Sequence, residues 1–266
     1  MSYYPLLIAP GCDGWVELSN FSPNNWEHRL TSSQFVNVTW SNNDKWHTLN
    51  LGLLESGKFR TITKREIAEI IPEGTLGLIS LTLEPLPIVS NELPTFHTFQ
   101  TSVPAWRASL GLSSLESQTS YQGELEAFPP NGSLLTFGSF VQFGNDISNY
   151  LILLNIEKSP LNRLSDLEIY DTETLTLKVE IKIRNNASNC IKLDGLGFVQ
   201  GDLPLIICRQ MSAIPLYFSS AMGGSFLSLE HTHPPASLVI QGRRWEAQKL
   251  LKKRWFEKSN VYRKKN

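Results

Sequence analysis

The stretch Ser133–Ile156, SLLTFGSFVQFGNDISNYLILLNI, decides the fold class because it holds two apolar runs, Leu134–Phe143 and Tyr150–Ile156. A Gly-Asn-Asp cluster at 144–146 separates the runs, and such clusters break regular structure and favour turns. Aromatic and β-branched residues recur in both runs, and these side chains suit a pleated, half-buried surface better than a helix. The stretch therefore predicts two strands joined by a turn, the central hairpin of a β-sandwich.

Short apolar runs of the same kind recur on both sides of this stretch, separated by turn-forming residues. Several alternate between apolar and polar residues, which is the pattern of a half-buried strand. The strands predicted in this way are Gln34–Trp40, His47–Leu54, Lys58–Thr63, Gly77–Leu83, Leu167–Tyr170, Leu175–Ile183, Cys190–Leu193, Leu203–Cys208, Pro215–Phe218, Phe226–Leu229 and Ser237–Ile240. Short strands at this spacing are typical of sandwiches and jelly rolls, so we expect an all-β fold.

Two segments in the first half depart from the strand pattern. Lys64–Ile71 has helical spacing and stops at Pro72, so it predicts a short helix. Leu110–Gln122 is rich in serine and predicts a loop.

A chain of 266 residues forms one large domain or two ordinary ones. The prolines at 85, 87 and 94 disfavour both helix and sheet pairing, so they predict an extended linker. We therefore expect residues 1–84 to form an N-terminal sandwich-like unit and 85–94 to form the linker. Residues 95–242 would then form a C-terminal sandwich or jelly roll, and 243–266 a basic helix and tail.

The C-terminal segment carries a concentrated positive charge. Its good helix formers place Ala247, Leu251 and Trp255 along one i, i+4 row, so we expect a helix docked on a sheet of this chain or of a neighbouring copy. Ten basic and two acidic residues give 243–266 a charge of +8, which leaves −9 for the rest of a chain whose net charge is −1. The predicted interaction residues are Arg243, Arg244, Trp245, Lys249, Lys252, Lys253, Arg254 and Trp255.

This charge layout predicts self-association or a protein partner for the basic helix, because an acidic surface attracts it. Nucleic acid is a poor partner, because the acidic body would repel the phosphates that the helix attracts. The sequence shows no signal peptide pattern and no apolar run long enough to span a bilayer, and its three cysteines have no CxxC spacing. We therefore expect a cytoplasmic protein with reduced thiols.

A pair of histidines near the end of the last strands is a candidate metal site. On an extended strand His231 and His233 point to the same side and Glu230 to the other. Two imidazoles on one face can ligate Zn²⁺, Fe²⁺ or Mn²⁺ if a third group joins them, with His97, His47 or a distant carboxylate as the candidates. The other reading is that both histidines form hydrogen bonds at a strand end.

The His-x-His step after a glycine resembles the first motif of the cupins, a family of metal-binding β-barrels. In this chain the glutamate precedes the histidines, and no second histidine-bearing motif follows. The resemblance implies a metal-dependent enzyme in which Glu230 acts as an acid, a base or a hydrogen-bond partner of a metal ligand.

Four further residues are candidates for ligand binding. Trp15 and Trp26 lie among turn formers. They can stack on the apolar face of a sugar, or they can seal the end of a sandwich core. The core role is favoured because a buried aromatic ring contributes more to stability than an exposed one. Tyr121 lies beside acidic residues of a predicted loop, and Arg107 can anchor an anionic ligand or form an ion pair.

The sequence contains no P-loop, GxGxxG, HExxH, EF-hand, GxSxG or paired CxxC motif, which disfavours the most readily recognised nucleotide-dependent and hydrolytic enzymes. We therefore expect a non-catalytic binding or assembly module, with a carbohydrate as the ligand. Two alternatives stay open: a metal-dependent, cupin-like enzyme and a structural subunit of a larger particle.

Overall fold

The computed structural model of the chain describes residues 3–20, 33–95, 108–138, 144, 146–231 and 244–263, with the side chains of 246 and 249–260 in the last range. The strands are β1 Tyr4–Pro5, β2 Asp13–Ser19, β3 Gln34–Ser41, β4 Trp46–Leu54, β5 Phe59–Thr63, β6 Leu78–Thr82, β7 Val89–Ser90, β8 Ala108–Ser113, β9 Gln118–Tyr121, β10 Leu134–Phe137, β11 Ile147–Asn155, β12 Leu164–Asp171, β13 Leu177–Arg184, β14 Ala187–Lys192, β15 Pro204–Cys208, β16 Ile214–Ala221 and β17 Phe226–His231. The helices are α1 Lys64–Ile67 and α2 Arg244–Arg263.

The strands form four antiparallel sheets, so the predicted all-β class is confirmed. In the first half the sheets have the orders β1-β6-β3-β4-β7 and β5-β2-β8-β9. In the second half the orders are β10-β15-β12-β13 and β14-β11-β16-β17. The predicted strands are present with ends that differ by at most three residues, apart from Ser237–Ile240, which lies outside the described residues.

The predicted central hairpin is wrong, because its two strands belong to different sheets. β10 pairs with β15, whereas β11 pairs with β14 on one side and β16 on the other. The physical reason is burial: Leu151, Ile152, Leu153 and Leu154 are all fully buried, so β11 needs a middle position in a sheet that is covered on both faces.

Two other predictions in the first half need correction. The predicted loop Leu110–Gln122 is instead mostly the antiparallel pair β8 and β9, and β8 also pairs with β2. Leu110 and Leu112 are fully buried on β8, an alternation that the surrounding serines hid. The predicted helix Lys64–Ile71 begins at the expected residue, where Thr63 caps it, but α1 ends at Ile67.

The two sheets of the second half face each other across an apolar core. Leu151 and Tyr217 contribute from the β14-β11-β16-β17 sheet, and Leu167, Ile169 and Ile206 from the other sheet. The opposite face of β11 and β16, which carries residues such as Ile152 and Phe218, packs into the core of the first half. The β14-β11-β16-β17 sheet is therefore a middle layer of the molecule.

Helix α2 covers the outer face of the β10-β15-β12-β13 sheet, as the sequence predicts for a helix that docks on a sheet of its own chain. Trp255 and Phe256 pack beside a small core that includes Leu135, Tyr170 and Ile207. These three residues alternate along their strands with residues that face the inner core, so the sheet is buried on both sides.

The proline-rich segment 85–94 lies against both halves of the chain. Its strand β7 pairs with β4, and the Leu93 N–H donates to the Lys158 carbonyl at 2.8 Å. The Tyr3 hydroxyl donates to the Pro94 carbonyl at 2.6 Å. Strands β8 and β9, which come after this segment, complete a sheet with β2 and β5 of the first half. The predicted domain boundaries at 84, 94 and 242 stay a prediction.

Candidate ligand-binding cleft

The inward face of the β14-β11-β16-β17 sheet changes from apolar to polar toward one end. Cross-strand neighbours share a face, so the register places Tyr217 beside Glu230 and Ser219 beside both Asn149 and Ser228. The Ser219 Oγ donates to the Asn149 side-chain oxygen at 3.1 Å, and the Asn149 amide group donates to Asp194 at 3.0 Å. An ordinary sandwich core is apolar, because polar side chains are costly to bury unless they are hydrogen-bonded. A hydrogen-bonded polar cluster on the inward face therefore sets this end of the sandwich apart from the apolar core.

A cleft of about 560 Å³ opens at this polar end, between the edge strands β10 and β17 of the two facing sheets. Gly138 and Leu203 line it from the side of the β10-β15-β12-β13 sheet. The residues that line it from the other sheet are Ile147, Tyr217, Ser219, Ser220, Ala221, Phe226, Leu227, Ser228 and Glu230. The volume lies within the range of small-molecule sites, and the lining combines apolar surface with a few polar groups, as such sites do.

Tyr217 is the most informative residue of the cleft. It is 3% exposed, and its buried hydroxyl has no hydrogen-bond partner among the residues that the structure describes. Burial raises the pKa of this hydroxyl, which therefore stays protonated and able to donate at neutral pH. Buried hydroxyls normally have partners because an unsatisfied one costs about 1–3 kcal/mol. An unsatisfied donor of a cleft-lining residue is thus a candidate hydrogen-bond donor to a ligand.

Gly138 leaves the space that the Tyr217 ring occupies. A Cβ atom at position 138 would collide with the Tyr217 hydroxyl and ring, so glycine is required there for close approach rather than for a turn. The Gly138 N–H donates to the Pro204 carbonyl at 2.7 Å, which fixes the end of β10 against the start of β15.

Two exposed side chains of β17 line the mouth of the cleft. The ring of Phe226 is 63% exposed and offers an apolar face. Glu230 contributes a carboxylate, and the register places it opposite Tyr217. The cleft therefore combines an aromatic surface with hydroxyl and carboxylate groups.

The predicted metal-site residues are partly separated by the fold. Glu230 faces the cleft, whereas His231 lies on the other face of β17 and stacks on Tyr121, with ring centroids 5.7 Å apart. His47 stacks on Trp40 in the first half. Among the described residues no three His, Cys, Asp or Glu side chains cluster as metal ligands. His233 and His97 lie outside the described residues, so the metal site stays a prediction.

The predicted ligand-binding residues are not brought together in the described part of the chain. Trp15 is 8% exposed on β2, where it packs over Gly111, in keeping with the core role. Tyr121 is half-buried against His231, and burial raises the pKa of its hydroxyl. Trp26 and Arg107 lie outside the described residues.

The predicted interaction residues divide between two sides of α2. Trp255 meets Phe137 edge-on at 5.3 Å, and the Lys252 ammonium donates to the Ser133 carbonyl, so both serve the contact with the sheet. Burial lowers the pKa of Lys252. Lys249, Lys253 and Arg254 are exposed on the outer side. Arg243 and the side chains of Arg244 and Trp245 lie outside the described part of the chain.

Comparisons with protein-family models, with curated proteins and with solved structures find no match to this chain. Among the described residues, neither α1 nor α2 is both long and apolar enough to cross a bilayer.

Sequence reasoning missed Tyr217, Ser219, Phe226 and Ser228, although the sequence carries a signal for them. Once β16 and β17 are accepted as strands, period-two alternation puts Tyr217 and Ser219 on one face and Leu216 and Phe218 on the other. On that face the side chains change from the aromatic Tyr217 to the polar Ser219, and such a change within a buried strand points to the end of the core. The strand that lies opposite this face follows only from the pairing of the strands into sheets.

Proposed function

We propose that the protein is a non-catalytic binding module that takes a hydroxyl-rich ligand, a carbohydrate, in the cleft between β10 and β17. The observation that carries this proposal is the Tyr217 hydroxyl, which is buried beside the cleft and has no partner in the described part of the chain. A sugar hydroxyl can accept its hydrogen bond. The polar groups of Ser219, Ser228 and Glu230 can bond further hydroxyls, and the exposed Phe226 ring offers a face for the apolar side of a sugar ring.

The absence of a catalytic role is part of the same proposal. Among the described residues that line the cleft Glu230 is the one carboxylate, and glycoside hydrolysis by the usual mechanism needs two carboxylates that flank the bond. The compartment we propose is the cytoplasm, which agrees with the finding that Cys12, Cys190 and Cys208 are all free.

Ligand-observed NMR with a panel of neutral hexoses and disaccharides, followed by calorimetry on any binder, tests the proposal. We expect Tyr217→Phe to weaken binding about tenfold, because one buried hydrogen bond to the ligand is lost. Phe226→Ala should weaken it further through loss of the stacking surface. A matched control is Tyr3→Phe, which removes a buried hydroxyl that donates to the Pro94 carbonyl and does not line the cleft, and which should leave affinity unchanged.

Two results would contradict the proposal. One is that no sugar of the panel binds at millimolar concentration. The other is that a sugar binds with equal affinity to the wild type and to Tyr217→Phe, because the orphan hydroxyl would then play no part.

Assembly through the basic helix is a second candidate function. Helix α2 uses Trp255, Phe256 and Ser259 on its own sheet, so its exposed cations face outward. The outward-facing residues include Lys249, Lys253 and Arg254, and they can meet the acidic surface of a second copy, because residues 1–242 carry a charge of −9.

Sizing by chromatography at low and high salt tests assembly. We expect a larger species at low salt that dissociates at high salt, since contacts between exposed charges are screened. The triple variant Lys249→Glu, Lys253→Glu, Arg254→Glu should be a monomer under both conditions. A wild-type protein that is already a monomer at low salt would rule this function out.

A further inference from the structure

Strand β10 leads into the cleft wall at Gly138, and within the described residues its sheet holds it from one side alone. In the order β10-β15-β12-β13 it is an edge strand, paired with β15. Just past its end, the Gly138 N–H donates to the Pro204 carbonyl next to that neighbour. An edge strand of four residues has few bonds to keep it in place, so its position depends on what packs against its faces.

Helix α2 supplies that packing on the outer face of β10. The Trp255 ring meets the Phe137 ring edge-on, with centroids 5.3 Å apart and an interplanar angle of 80°. One turn earlier in the helix, the Lys252 ammonium donates to the carbonyl of Ser133, just before β10 begins. The helix therefore holds β10 at both of its ends.

The helix is itself fixed to the sheet at a second point. Arg209, which follows β15, donates to the Ser259 hydroxyl at 2.9 Å, and its guanidinium lies 5.0 Å from the centre of the Phe256 ring. Ser259 is fully buried. Because α2 is anchored both at Arg209 and over β10, it acts as a brace between β10 and the middle of the sheet.

The contact between α2 and β10 lies next to the ligand cleft. Phe137 precedes Gly138, and Gly138 abuts the Tyr217 ring and hydroxyl across the cleft wall. Phe137 faces α2 on the outside and the next residue, Gly138, abuts Tyr217 on the inside, so a shift of Phe137 displaces Gly138 as well. We infer that Trp255 is a positioning residue for the ligand cleft: through Phe137 and Gly138 it sets the gap in which Tyr217 presents its hydroxyl. This inference rests on the proposed function, because it assigns to α2 the control of that same cleft.

Residue-level hydrogen exchange by NMR on the full chain tests the inference without any ligand. We expect Trp255→Ala to raise exchange at Gly138 and along β10 about tenfold while β12 and β13 stay protected, because the loss is local. Trp255→Phe should restore most of the protection, since it keeps an aromatic ring over Phe137. The matched control is Leu250→Ala on the outward side of the same helix, where the side chain is 52% exposed.

The outcomes separate the inference from the proposed function. Unchanged exchange at Gly138, or an equal rise over the whole sheet in both Trp255→Ala and Trp255→Phe, would overturn the positioning role whatever the sugar panel shows. A local rise at Gly138 together with weaker sugar binding in Trp255→Ala, and with normal binding in Leu250→Ala, is the result we expect. If no sugar binds to the wild type, the proposed function fails while the exchange data still decide the coupling.

Discussion

Tyr170 and Tyr217 are buried tyrosines in the two facing sheets of the second half, and their hydroxyls differ in hydrogen bonding. Tyr170 is fully buried under α2, and its hydroxyl donates to the Glu168 carboxylate at 2.5 Å. Tyr217 is 3% exposed in the cleft wall, and its hydroxyl has no partner within the described ranges. The two residues have the same side chain and almost the same burial, so the difference lies in what the fold provides around them.

Around Tyr170 the fold provides a complete network. Glu168 accepts two hydrogen bonds from Arg209, at 2.9 and 3.0 Å, and Arg209 also donates to Ser259 of α2. Burial alone would lower the pKa of Arg209, but hydrogen bonds to Glu168 and its charge outweigh burial and raise it, so the guanidinium stays charged. A network whose members are all bonded holds a structure together, whereas a missing partner in a cleft leaves room for a ligand. The comparison gives four predictions.

The largest expected effect is that of breaking the Glu168–Arg209 pair. Arg209→Met leaves the Glu168 carboxylate buried without its cation, and removal of one partner from such a pair costs about 3–5 kcal/mol. We expect a fall of that size in the free energy of unfolding, measured with urea. The triple variant Glu168→Leu, Tyr170→Phe, Arg209→Met is the control and should recover most of the loss, because it leaves neither an unpaired charge nor an unsatisfied Tyr170 hydroxyl. An Arg209→Met protein as stable as the wild type would mean that the network does not hold α2.

The next effect is that of Tyr170→Phe, which removes a hydrogen bond to a carboxylate. Hydrogen bonds to charged groups contribute about 1.5–3 kcal/mol, so we expect a loss of about 2 kcal/mol in the free energy of unfolding. The same urea titration measures it. If Tyr170→Phe proved as harmless as Tyr217→Phe, the contrast between the two residues would disappear.

The sequence predicts one half of this comparison better than the other. The alternation of β12 and β15 indicates two buried faces, and the i, i+4 row through Trp255 indicates a helix with something to cover, so the docking of α2 follows from local patterns. The cleft does not follow from them, because Gly138 and Tyr217 meet only after β10 and β16 have entered different sheets. That choice of partners depends on long-range packing, and the hairpin predicted for Ser133–Ile156 failed for the same reason.

A third effect concerns alkaline pH. Burial, followed by the hydrogen bond to Glu168, raises the pKa of Tyr170 from 10.0 to about 12. Because the folded-state pKa lies above the unfolded-state value, the stabilisation is complete below pH 10 and is lost as the pH rises toward 12. Each pKa unit corresponds to about 1.4 kcal/mol, so Tyr170 should account for a loss of about 1 kcal/mol between pH 9 and 11.

Urea titrations of the wild type and of Tyr170→Phe at both pH values check this prediction. The phenylalanine variant should show the flatter decline, because it has no hydroxyl to ionise at that position. Parallel declines in the two proteins would show that Tyr170 is not the group that titrates.

The smallest expected effect is that of Tyr217→Phe on the free energy of unfolding. A small effect is what a hydroxyl without a hydrogen bond should give. The hydroxyl has no hydrogen bond to lose to any described residue, and its removal relieves an unsatisfied buried group, so the free energy of unfolding should stay the same or rise slightly. Tyr3→Phe is a matched control, because the Tyr3 hydroxyl is equally buried and donates to the Pro94 carbonyl, and its loss should cost about 1 kcal/mol. A Tyr217 hydroxyl that contributes nothing to folding and yet strengthens sugar binding would be placed there for a ligand. A clear loss of stability in Tyr217→Phe would instead mean that the hydroxyl has a partner within the folded chain.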